Sequence, residues 1–145
     1  MRRLAVILSL FAFSIAASPA ADESIPGLKA RLESAPAQER PPICVRIAEL
    51  QLRNADKDYT DGNIEQARAA LDDIVTYSEK ARDAAKDSKK HLKHVEISVR
   101  KIAEKLSDIK RTLAFDDQPP VDQAIQRLQD IRTSLLQEMF KKDKK

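Results

Sequence analysis

From residue 43 onward, apolar side chains recur in steps of three and four, the spacing that lines one side of an α-helix. The longest run is Ile64, Ala67, Leu71, Ile74, Ser78, Ala81, Ala85, Ser88, Leu92, Val95, Val99, Ile102, Leu106, Ile109 and Leu113, without a slip. The alternation in twos that marks strands is nowhere sustained, so the fold class is all-α. An earlier helix is predicted from about Ile43 to Tyr59, with Ile43, Ile47, Leu50 and Ala55 on one side. Asp61-Gly62-Asn63 then makes a turn, with Asn63 as the cap of the next helix. Asp116-Asp117-Gln118-Pro119-Pro120 starts the last helix, an aspartate capping and the prolines in its first turn. Val121, Ala124, Leu128, Ile131, Leu135 and Met139 form the apolar face of that helix.

The long run is compatible with one helix or two. Its seats become small between Ser78 and Ser88, and residues 86–91 are polar throughout. A hairpin there places Lys89, Lys90 and His91 at a helix start, where the dipole disfavours positive charge. No Gly, Pro or Asn is present to make the turn. The spacing therefore predicts one helix over 63–114, on the order of 75 Å long. The expected architecture is elongated: antiparallel helical hairpins around that long central helix, with the Ala/Ser waist least covered. The alternative is a compact four-helix bundle with a break near Ser88.

The two ends differ from the body. Arg2 and Arg3 precede the apolar stretch 4–13, and small residues follow around Pro19, the layout of a secretory signal peptide over 1–20. A spanning helix needs ~20 apolar residues and this segment offers at most 14, from Leu4 to Ala17. Cleavage after Ala20 and export to the periplasm or outside are expected, with no stable membrane insertion afterwards. Residues 21–42 hold four prolines and read as a linker, in which Leu28 and Leu32 suggest one helical turn. A helical domain over 43–140 and a basic tail over 141–145 follow. Residues 21–145 carry 24 basic and 23 acidic side chains, and the body over 21–140 has 20 against 22. Nucleic-acid binders concentrate positive charge on the fold, so no nucleic-acid partner is expected.

Composition restricts the chemistry further. Two glycines cannot build a phosphate-cradling loop, and one cysteine excludes an internal disulfide. Cys44 follows Pro41-Pro42 at a helix start, where the dipole lowers a thiol's pKa. It is either a small buried hydrophobe or the source of an intermolecular disulfide. His91 and His94 share a helix face, with Glu96 or Asp87 near enough in sequence to complete a metal set. Lysines 86, 89, 90 and 93 would repel a cation there, so no metal and no cofactor are expected. Asp72-Asp73 and Asp116-Asp117 are adjacent pairs, which a helix points apart, and neither reads as a general acid/base pair.

The string from Tyr59 to Ala67, followed by Leu71 and Ile74, resembles the second half of a tetratricopeptide repeat. Gly62 matches that family's turn position, while Ala67 and Ala55 match the small residues that let its two helices pack closely. Ile64 replaces the usual aromatic, Gln51 a usual large apolar residue, and no closing proline follows. The match covers residues about 45–75 and appears once, whereas arrays need ~3 units. Lys110-Arg111-Thr112-Leu113 with Gln118-Pro119-Pro120 also resembles exported bacterial helical proteins of no established activity. These resemblances imply a protein-binding scaffold and no catalytic residue. The expected function is that of an exported, non-enzymatic helical protein acting through a protein partner or its own homo-oligomer. The alternative is a small-ligand or metal carrier of four-helix-bundle type.

Overall fold

The computed structural model describes residues 23–141; the stretch 1–20 expected to be a signal peptide and tail residues 142–145 lie outside the described residues. Five α-helices follow in order: α1 (Ile25–Ser34), α2 (Arg40–Asp61), α3 (Ile64–Ser88), α4 (Leu92–Arg111) and α5 (Gln118–Phe140). A single 3-10 turn, Phe115–Asp117, precedes α5. The all-α class is therefore what the periodicity indicates. Of the two architectures left open by the sequence, the chain follows the one with a break after Ser88.

That break replaces the single 63–114 helix. Lys89 and His91 take left-handed backbone angles (φ 56° and 65°), turning the chain back without a glycine. Each such residue costs roughly 1–2 kcal/mol. In return α4 buries Leu92, Val95, Val99, Ile102, Leu106 and Ile109, each worth about 1.5–3 kcal/mol relative to exposure. Packing exceeds the local cost several-fold. Lys89 and Lys90 stand outside α4 and so avoid its first turn, and the Lys89 ammonium lies 2.5 Å from Glu138 on α5. Ser88 ties the turn locally, donating to the Ala84 carbonyl at 2.7 Å and accepting from the Lys90 N–H at 3.3 Å.

The helices form two antiparallel hairpins, α2–α3 and α4–α5, stacked one on the other. α4 lies against α2 and α5 against α3. Pairs between α3 and the α5 segment advance together along both chains. Arg68 meets Asp117 at 3.7 Å, Glu79 pairs with Arg127, and the Lys86 ammonium meets the Ser134 hydroxyl at 3.4 Å. Lys89 with Glu138 continues the series, so α3 and α5 are parallel. Asp56 to Lys105, at 3.3 Å, links α2 to α4.

Two expectations change with this stacking. The Ser78, Ala81 and Ala85 waist is at most 1% exposed, not the least covered part. Its small side chains face the interior where α3 is enclosed by its neighbours. The stretch read as a linker contains α1, a ten-residue helix capped by Ser24, whose Oγ accepts the Gly27 N–H at 3.1 Å. Leu28 on α1 is buried against the same core. Four prolines do not prevent this, because Pro26 falls in the first turn of α1 and Pro41 and Pro42 in that of α2, where no N–H is needed.

Candidate functional site

Gly62 ends α2 in the left-handed region (φ 80°), and the Asn63 N–H donates to the Asp58 carbonyl at 2.7 Å. A methyl group on Gly62 would meet nothing within 4 Å, so backbone angle rather than space selects glycine. Ala55 and Ala67 are fully buried on either side of this turn. Asn63 does not cap α3 with its side chain; its carbonyl accepts the Ala67 N–H instead. The expected aspartate cap of α5 is likewise absent. Asp117 faces Arg68, and the Gln118 side chain donates to the Leu113 carbonyl at 3.2 Å. Asp73 of the other acidic pair binds Gln51 at 2.7 Å and Lys29 at 3.7 Å, holding α1 and α2 to α3.

Cys44 is 1% exposed and borders a hollow of about 290 Å³ shared with Leu32, Arg40, Lys80 and Ala84. Burial pushes its thiol up to about 11, and the Lys80 and Arg40 cations offset that only in part. The helix-start effect expected to activate it is therefore outweighed by desolvation. An intermolecular disulfide needs the two sulfurs ~2.05 Å apart, so a partner's thiol reaches Cys44 only if the surrounding helices open. A prediction follows from the raised value. The neutral thiol's stabilisation is complete below the unfolded value of 9.0 and is lost as pH rises through about 11. Urea unfolding of wild type and Cys44→Ala is expected to show the wild type losing more stability between pH 8 and pH 10.5. Equal slopes for both proteins would contradict this burial.

His91, on the α3–α4 turn, and His94, in the first turn of α4, are both exposed and stand edge to face, with ring centroids 6.3 Å apart. Glu96 does not join them. It is 8% exposed and turned inward, accepting from Arg132 Nε of α5 at 2.7 Å. Among the described residues no three His, Cys, Asp or Glu side chains are grouped to hold a metal. Glu96–Arg132 joins a buried carboxylate to a half-exposed guanidinium, a pair that spacing alone gave no reason to connect. Tyr59 is another such residue. Its hydroxyl is buried without a hydrogen-bond partner among the described residues, and burial raises its pKa, with Arg68 opposing and Asp117 adding to the shift.

Two surface features complete the candidate site. Phe115, before α5, is 83% exposed, and Phe140, at its other end, is 63% exposed. Phe140 adjoins a shallow hollow with Leu136, Thr133, Gln137 and Lys141. Lys86, Lys89, Lys90, Lys93 and Lys141 converge on that same end of the molecule, against Asp87 and Glu138. Among the described residues no helix is long and apolar enough to cross a membrane. In comparisons with known proteins, no family model, no curated protein and no solved structure matches this chain.

Proposed function

We propose that this is an exported, non-enzymatic helical protein that acts by contact with other protein chains, its own included. The observation carrying this reading is the exposure of Phe115 and Phe140, the large apolar side chains left exposed among the described residues, while the others are buried in the core or partly buried. Aromatic rings on a surface are typical anchors of protein interfaces. Neither ring is needed to fill the interior, so each is free to serve a contact.

The test uses the mature chain, first sequenced at its N-terminus to show export and cleavage near residue 20. Crosslinking in the exported fraction and sedimentation at several concentrations then give the species formed. Phe115→Ser or Phe140→Ser is expected to remove a crosslinked species while leaving helical circular dichroism unchanged. A particle that is monomeric at every concentration and crosslinks to nothing would overturn the reading.

A further inference from the structure

We propose that two copies of this chain form a dimer by exchanging their α4–α5 hairpins, with residues 89–91 straightening so that α3 and α4 become one helix. The proposal rests on the self-association half of the functional reading above and names the partner, a second copy. Two independent observations point to it. The first is the turn: Lys89 and His91 are the non-glycine residues with positive φ among the described residues, and both sit in it. Strained, short hinges between packed hairpins favour exchange, because opening relieves the strain while every packed contact is remade with the other copy.

The second observation is register. Ala85, Ser88, Leu92 and Val95 continue one alternation of three and four across the break. A straight helix from Ile64 to Arg111 thus keeps its apolar seats on one side, with no slip for the hinge to absorb. A turn-forming sequence normally interrupts such a pattern, and this one does not. In the exchanged dimer α5 of one copy lies on α3 of the other. Arg68–Asp117, Glu79–Arg127 and Asp56–Lys105 are then remade between chains. Glu96–Arg132 stays inside the travelling hairpin, since both residues belong to it. Lysines 86, 90 and 93 of the two copies meet at the crossing, so salt favours the dimer by screening them.

Two double variants test the hinge in opposite directions. Lys89→Gly with His91→Gly relieves the left-handed strain in the monomer, at roughly tenfold per residue; each dimer consumes two monomers with two such residues apiece, so the dimerisation constant is expected to fall about ten-thousandfold. Lys89→Ala with His91→Ala keeps the strain and raises helix propensity, so the dimer fraction is expected to rise. Light scattering after gel filtration reads the mass of the chain from residue 21 onward, which contains the whole described core. Spin labels at Glu65→Cys and Arg111→Cys, in a Cys44→Ala background diluted with unlabelled chain, read the distance within one chain. That distance is expected to be on the order of 70 Å in the dimer and short in the monomer. Equal dimer fractions for the glycine and alanine variants would overturn the exchange. So would a dimer whose intrachain labels stay close, an outcome that leaves the broader protein-contact reading standing.

Discussion

Leu128→Ala is expected to lower the free energy of unfolding by about 2–5 kcal/mol, the range for removing a fully buried leucine. Leu128 has no exposed surface and lies in the middle of α5, the helix that contacts both α3 and α4. A truncated side chain there leaves a space with helices on several sides, and rigid helices do not collapse into it. Domains of this size have ~5–15 kcal/mol in total, so the variant loses a large share of its stability. Urea unfolding with an unchanged m-value measures the loss. Leu136→Ala, on the half-buried side of the same helix, is the control and is expected to lose less than half as much. Equal losses at the two positions would mean that α5 does not present the face described.

The second large effect separates the stacked fold from the single-helix alternative. Ala81→Leu is expected to destabilise by about 1–3 kcal/mol, because three added carbons enter a region already filled. Ala81, Ala85 and Ala48 have no exposed surface. In an elongated molecule the same residue would lie on the least covered part of a long helix, and leucine there would be harmless. Thermal melting of Ala81→Leu beside Ala84→Leu, a partly exposed neighbour, provides the comparison. A melting temperature for Ala81→Leu no lower than that of the neighbour would argue for the open waist.

Periodicity located most of the core because burial on a helix imposes its spacing. Leu71, Ile74, Val95, Val99, Ile102 and Leu106 are buried as the three-and-four pattern requires. The same signal was blind to the break, since the step from Ser88 to Leu92 is also a helical step. What decides the turn is the sum of contacts α4 makes with α2, α3 and α5, which no local window contains. The prolines over 21–42 misled for a related reason: those at helix starts permit a helix, and Leu28 supplies the burial that keeps α1 in place. Asn63, Asp116 and Asp117 carried good capping chemistry, yet backbone carbonyls and tertiary ion pairs took their places. Cys44 was placed correctly at the start of a helix. Its chemistry was not legible, because the helices that desolvate it come from elsewhere in the chain.

The gathering of lysines beside Phe140 has an electrical consequence. The far end of the molecule carries Asp56, Asp58, Asp61, Glu65, Asp108, Asp116, Asp117 and Asp122, outnumbering the basic groups among them. The particle is therefore polarised along its long direction although its overall charge is small. Near any negatively charged body it experiences a torque that swings the Phe140 tip forward, with a range of about 8 Å at physiological ionic strength. Orientation would thus be set before touch, and by ions rather than by shape.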